Sequence, residues 1–598
     1  MSAIGAERCI GGNDLTEPRL SPDGRLLVYA RSTAGVASLV VHHCESGRAQ
    51  QLATSPPLRA GRGLGGGAWA WFPDGSAVVY VATDGNLWRQ AIDAGPAMQL
   101  TGHGPDQVAT GPCVAADGSS VAFVIGLEEV HRLHLSEGRS QRIDDGSADF
   151  CMDASFDADS ATVRWLAWNV PDMAWDRSRV QRVGPDGVVH DDAATPFAVQ
   201  QPRSLPDGTP VCVRDDHGWL NVWLGDSPLV GEPFEHAGPS WGPGQCTYAW
   251  SPDGARVAFT RNEAGFGRLC VVERSTGAVR EVARGVHGHL SWSGSRLAAV
   301  RTGARTPTQV VLYDTDSWDR TVVEVGSAAQ WNPGELREPE LVEVPVPGGV
   351  VHGRLYRPEA GDGADEGQLI VWLHGGPTDQ WQVTFMPRLA FWLSRGWTVL
   401  VPDHRGSTGH GRAYQQALRG SWGVLDVADT LAVTSHAHTA GWGQPSRTVV
   451  FGGSAGGFTA LGAVAAQPGR FAAAVLLYPV TDLCELAERS HRFERHYTHT
   501  LVGELPAAIG AYQQRSPINR ADLCARTPML LLHGDDDVVV PVRQSMVFAE
   551  RVRAAGGDVE LHVYPGEGHG FRGAANQLDE YRRAEAFLAR CVPVASRS

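Results

Sequence analysis

Three observations predict an N-terminal seven-bladed β-propeller followed by a C-terminal α/β domain built on a parallel sheet. A turn-and-strand unit recurs seven times over roughly the first 335 residues. Beyond it, strand-like runs alternate with helical patterns, the mark of a parallel sheet covered on both faces. Three loops that could carry chemistry then follow apolar strands, in the order serine, aspartate, histidine.

The repeat is clearest at Ser21-Pro22-Asp23-Gly24, Phe72-Pro73-Asp74-Gly75 and Ser251-Pro252-Asp253-Gly254. It is shorter at Ala116-Asp117-Gly118 and weaker at Asp157-Ala158-Asp159-Ser160 and Leu205-Pro206-Asp207-Gly208. Trp292-Ser293-Gly294-Ser295 reads as a degenerate seventh copy. Alternating apolar text follows several copies, as in Leu26-Leu27-Val28-Tyr29 and Val257-Ala258-Phe259. Copies lie about 40 to 50 residues apart, the size of a propeller blade. One four-stranded blade cannot bury both of its faces, whereas seven stacked around an axis can. A β-sandwich would instead show turn signals about every 8 to 12 residues without the longer period. The texture changes between residues 334 and 339, and Val342-Glu343-Val344-Pro345-Val346 opens the second part. The expected division is a substrate-gating propeller over 1–335 and a catalytic domain over 336–598.

In the second part, Arg447-Thr448-Val449-Val450-Phe451 reads as a buried strand, and residues 458–466 read as a helix. Between them stands Gly452-Gly453-Ser454-Ala455-Gly456. A serine on so sharp a strand-to-helix turn needs small neighbours two residues to either side, and glycines meet that need. The apolar run Met529-Leu530-Leu531-Leu532 ends in His533-Gly534-Asp535-Asp536-Asp537, which puts an aspartate just past a strand. Residues 559–564 alternate as another strand, and Gly566-Glu567-Gly568-His569-Gly570 follows in what reads as a flexible loop. Serine, then aspartate, then histidine is the chain order of an α/β-hydrolase triad. In that arrangement the imidazole takes the Ser454 proton while the carboxylate fixes its tautomer. Spacing alone leaves open which of the three aspartates serves. Leu369-Ile370-Val371-Trp372-Leu373 is a further strand and ends in His374-Gly375-Gly376-Pro377, where a glycine N–H can meet a developing oxyanion with the N–H of Ala455 as its partner.

Composition excludes several function classes. The 598 residues carry a net charge of −15 with a sequence pI near 5.8, and no basic run occurs, so nucleic acid and membrane surfaces are not expected partners. No apolar stretch of signal length opens the chain and no run of about 18 apolar residues occurs, which reads as a soluble cytoplasmic protein. The 10 cysteines are scattered singly without a Cys-x-x-Cys pair and read as unpaired thiols. All 51 basic residues are arginine. Schiff-base lysines, Ser-Lys dyads and phosphate-loop lysines are thereby excluded. His42-His43-Cys44 and His436-Ala437-His438 lack the spacing of a zinc site, so no cofactor and no metal is expected.

Together these strings resemble the prolyl oligopeptidase family of serine peptidases, most closely its acylaminoacyl-peptidase branch, over nearly the whole chain. Asp403-His404-Arg405-Gly406-Ser407, Trp422-Gly423 with Asp426 and Asp429, and Arg515-Ser516-Pro517-Ile518 carry the likeness in the second part. Residues 168–176 and 218–223 carry it in the first. The resemblance implies Ser454 as nucleophile, Asp537 as the orienting acid, His569 as the base, and Gly376 and Ala455 as oxyanion donors. Asp537 is selected because the family pattern runs His-Gly, two residues, then Asp. Two departures stand out: Val539 where many members carry a substrate-binding arginine, and Ala455 where a tyrosine is common. The paired glutamates of dipeptidyl peptidases are also not found.

The expected function is a serine hydrolase that cleaves short peptides or acylated and aminoacyl amides through an acyl-enzyme. A propeller over the active site would admit only small or unfolded substrates. Val539 and Ala455 motivate an alternative, an amidase, esterase or acyltransferase acting on a small metabolite. A third reading is a binding protein with an inactive hydrolase domain. The segment from Leu483 to Pro506, with Phe493, Tyr497 and His499, is expected to shape the acyl pocket or simply to pack. The sequence leaves the oligomeric state open, a homo-oligomer included.

Overall fold

Seven four-stranded antiparallel sheets occupy residues 13–52, 69–99, 109–142, 150–194, 199–228, 248–284 and 286–325, each with its strands in sequential order. They are the seven blades of the propeller. The computed structural model describes residues 3–59, 66–93, 95–104, 107–194, 196–332, 334–359 and 367–592.

The repeat seen in the sequence is the hairpin between the first and second strands of a blade. In six blades its aspartate accepts a hydrogen bond from the backbone N–H two residues on, at 2.9–3.0 Å for Asp23, Asp74, Asp117, Asp159, Asp207 and Asp253. This Asx turn reverses the chain with a short side chain in place of further backbone. The seventh copy has no aspartate and turns on Gly294, whose φ of 54° suits glycine. The ring closes by packing, with no strand exchanged between the terminal blades: Leu15, Leu27 and Tyr29 of the first blade bury against Ala298, Val310 and Leu312 of the seventh.

The second unit holds one eight-stranded sheet. We number its strands β1 (Glu340–Val346), β2 (Gly349–Tyr356), β3 (Leu369–Leu373), β4 (Thr398–Asp403), β5 (Thr448–Gly453), β6 (Ala473–Leu477), β7 (Met529–Gly534) and β8 (Val559–Tyr564). Their order is β1-β2-β4-β3-β5-β6-β7-β8. β1, β2 and β4 pair antiparallel, and all pairs from β4 to β8 are parallel. This is an α/β-hydrolase sheet. The central strands β3, β5, β6 and β7 are apolar along their length because both faces are covered. Val371, Val450 and Leu531 face one core, which includes Leu461 and Val464 of the helix Ala455–Ala466. Trp372, Phe451 and Leu530 face the other, with Tyr581 and Phe587 of the helix Ala574–Cys591.

The expected division at 335/336 needs correction. The units are Gly12–Ala328 on one side and Met1–Gly11 with Ala329–Ser598 on the other. Ile4 packs with Leu336 and Ala390, its N–H donates to Ser394 Oγ at 3.0 Å, and Arg8 pairs with Glu335 at 2.7 Å. These contacts hold the first residues to the hydrolase unit. Too few apolar residues stand in this segment to show a period. All 10 cysteines are free, and no helix of the described residues is long and apolar enough to cross a membrane.

Candidate active site

Ser454 stands where β5 meets the helix Ala455–Ala466, with φ 54° and ψ −124°. A non-glycine residue holds such a backbone only under constraint, at a cost of about 1–3 kcal/mol. The constraints are visible. Ser454 N–H donates to Leu477 O at 3.0 Å, and Ser454 O accepts from the N–H groups of Phe458 (3.1 Å) and Val480 (3.3 Å). The Phe458 bond is the first helical turn, so the helix starts at Ala455, just past the serine.

Both flanking glycines are sterically required, for different reasons. A Cβ on Gly452 would lie 2.3 Å from Gly456 O, across the turn. A Cβ on Gly456 would lie 2.5 Å from both Leu373 O and His374 O, at the end of β3. These are backbone atoms that cannot swing aside. Gly456→Ala is therefore expected to destabilise the hydrolase unit by about 1–3 kcal/mol, read as a drop of several degrees in its thermal midpoint. An unchanged midpoint would show that the strand ends have room to part.

Asp537 and His569 meet: His569 Nδ1 lies 2.7 Å from Asp537 Oδ2. The other carboxylate oxygen accepts the N–H groups of Val539 (2.9 Å) and Val540 (2.8 Å), and His533 Nε2 lies 3.4 Å from Oδ2. Burial by itself would raise this carboxyl. The hydrogen bonds from His533 and His569, the charge on His569 and the Val540 N–H outweigh it and hold Asp537 well below the usual carboxylate range. Asp535 and Asp536 are exposed, and Asp535 accepts Gly566 N–H at 2.7 Å.

The loop carrying His569, expected to be flexible, is pinned. Buried Glu567 accepts Arg572 N–H (2.7 Å), Gly573 N–H (2.8 Å) and Asn576 Nδ2 (2.8 Å). The Tyr478 ring packs on His569 at 4.5 Å between centroids and lies close to Gly453, beside the serine. Among the hydrogen bonds of the described residues there is none between Ser454 Oγ and His569. Such contacts often tighten only when substrate binds.

Ser454, Ala455 and Gly376 line one cleft, together with Trp422, Tyr497 and Val539. Ala455 is the first residue of its helix, so its N–H has no intrahelical acceptor and forms part of the positive end of the helix dipole. Gly376 follows β3. The loop there is braced from behind by His374, whose Nε2 lies 2.7 Å from Ser407 Oγ and whose ring stacks on His404 at 4.9 Å. Burial, with His404 beside it, pushes His374 down to about 4, so it is neutral near pH 7. Beyond Pro377, Thr378 N–H donates to Tyr497 Oη at 3.2 Å.

The strings that carried the resemblance are bracing of this kind. Asp426 accepts Gly423 N–H at 2.7 Å and the Thr459 hydroxyl at 2.5 Å, which fixes the helix behind Ser454. Arg405 pairs with Asp429, and Arg515 donates to Trp422 O at 2.9 Å. Residues 383–594 match the model of the prolyl oligopeptidase family.

They are a prolyl oligopeptidase family domain.

Over 213 residues the chain is 32% identical to the acylamino-acid-releasing enzyme of Arabidopsis thaliana, along 34% of this chain and 27% of that protein. The chain spans less than a third of the length of the first curated relatives it matches. Solved structures match further. A puromycin-hydrolyzing peptidase of Mycobacterium tuberculosis is similar over 100% of this chain and 97% of its own, at 25% identity and a TM-score of 0.90. A puromycin hydrolase gives 27% identity and a TM-score of 0.89 over 100% and 97%. Around the Ser454 cleft, sequence reasoning missed Glu567, His374 with Ser407, and Tyr478. Glu567 stood inside the quoted loop, but only tertiary contacts give these residues their work.

No group of three or more His, Cys, Asp or Glu side chains among the described residues is placed to hold a metal ion.

Proposed function

We propose that the chain is a serine peptidase that cleaves short peptides or aminoacyl and acyl-aminoacyl amides through an acyl-enzyme on Ser454. One observation carries the reading: a serine held at φ 54° heads a helix, in a domain where a buried carboxylate also orients a histidine at 2.7 Å. In this reading His569 takes the Ser454 proton as the hydroxyl attacks the carbonyl and returns it to the leaving amine. Asp537 holds the imidazole with its Nδ1–H inward, leaving Nε2 free for the serine, and stabilises the imidazolium. The N–H groups of Gly376 and Ala455 receive the oxyanion, and losing one such donor costs on the order of 10² to 10³ in kcat. The whole-length likeness to puromycin-hydrolyzing enzymes supports amides as substrates.

A second reading keeps the acyl-enzyme and changes the substrate to a small-metabolite amide or ester, with an acyltransferase as a variant. Val539 favours it. This valine lines the cleft where the family resemblance implies an arginine, so one anchor for a peptide carbonyl is gone. Turnover of aminoacyl and acyl-aminoacyl p-nitroanilides, matched p-nitrophenyl esters and puromycin separates the two. The peptidase reading expects anilide hydrolysis. Ester hydrolysis with inert anilides and inert puromycin would hand the case to the second reading.

A further inference from the structure

Of the residues that line the Ser454 cleft, Glu494 alone carries a charge. The surrounding walls are Gly376, Val480, Leu486 and Val539, with no arginine or histidine among the lining residues. The Glu494 side chain is only 22% exposed, and its charged partner among the described residues is His491, with Nε2 3.5 Å from Oε1. The backbone that carries Glu494 is held in place. Glu494 N–H donates to His491 O at 3.1 Å, Tyr497 N–H donates to Glu494 O at 2.9 Å, and the Tyr497 hydroxyl bonds Thr378 in the loop after Gly376.

A carboxylate mostly shielded from solvent attracts a cation more strongly than it would in water. We propose that Glu494 selects substrates that carry a free ammonium group near the scissile amide over their N-acylated counterparts. The inference rests on the acyl-enzyme reading given above. An ammonium brings three N–H donors and a full charge to the carboxylate. Ser490, buried on the same cleft wall, offers a further hydroxyl acceptor. N-acylation removes that charge, leaves one weaker amide donor and brings a carbonyl oxygen toward the carboxylate. Binding such a substrate would desolvate Glu494 without pairing it.

The test is the ratio of kcat/KM for aminoacyl p-nitroanilides to that for the same compounds N-acetylated. It is measured in the wild type, Glu494→Gln and Glu494→Asp, with the wild type also treated with a fluorophosphonate. The wild type is expected to favour the free amine by about 10- to 100-fold, less at high salt. Glu494→Gln should cut that ratio about tenfold or more, through KM, and Glu494→Asp should keep most of it. Because both substrates meet the same variant, partial misfolding cancels from the ratio. Labelled Ser454 with a ratio unchanged in Glu494→Gln, or a wild-type preference for acetylated substrate, overturns the inference alone. Unlabelled Ser454 overturns the acyl-enzyme reading and the inference with it.

Discussion

Replacing Ser454 by alanine is expected to lower kcat on anilide substrates by on the order of 10⁶, while KM changes little and the fold persists. The size follows from what alanine removes. Without the hydroxyl no acyl-enzyme forms, and the remaining oxyanion donors and cleft can only speed attack by water. The fold should survive, because every bond that holds the elbow is made by backbone: Ser454 N–H to Leu477 O, and Ser454 O to Phe458 and Val480. Alanine pays the same positive-φ cost as serine. Steady-state kinetics with circular dichroism checks both halves, and a loss under about tenfold would mean another group carries the chemistry.

Asp537→Asn is expected to cost on the order of 10⁴ in kcat. An asparagine can still accept the Val539 and Val540 N–H groups, so the loop stays in place. Toward His569 it can present an N–H, which turns the ring to the tautomer with its proton on Nε2, facing the serine it should deprotonate. Asp535→Asn and Asp536→Asn, on exposed side chains, are expected to stay within a few-fold of wild type. The same kinetic assay on all three variants makes the comparison, and equal effects would remove Asp537 from its role. The carboxyl's depressed value also fixes a sign for stability. Its contribution is present above the unfolded value of about 3.9 and is lost as pH falls toward the lower folded value.

Much of the fold was legible because its signals are local. The aspartate turns recur since six blades make the same Asx reversal, and the seventh remained visible as Ser293-Gly294 because the turn still needs a residue tolerant of positive φ. Gly452 and Gly456 could be read from sterics. The oxyanion loop and the aspartate loop were legible as ends of apolar strands. What escaped depends on contacts between distant segments. Nothing in Gly566-Glu567-Gly568 says that Glu567 will reach forward to three donors and stiffen the histidine loop. His374 and Ser407 are 33 residues apart yet share a hydrogen bond. Residues 3–11 join the hydrolase unit through a few contacts such as Ile4 with Leu336. Residues 483–506 were aromatic but aperiodic, and their placing of Tyr497 and Glu494 on the cleft follows from packing alone.

The central claim is that Ser454 is an activated nucleophile, and covalent capture tests it most directly. The full chain is treated with a fluorophosphonate and the modified peptide is mapped by mass spectrometry. The account predicts one adduct per chain, on Ser454, formed at a rate that falls sharply in His569→Ala. An unmodified Ser454 peptide, or an adduct on another serine, would contradict it.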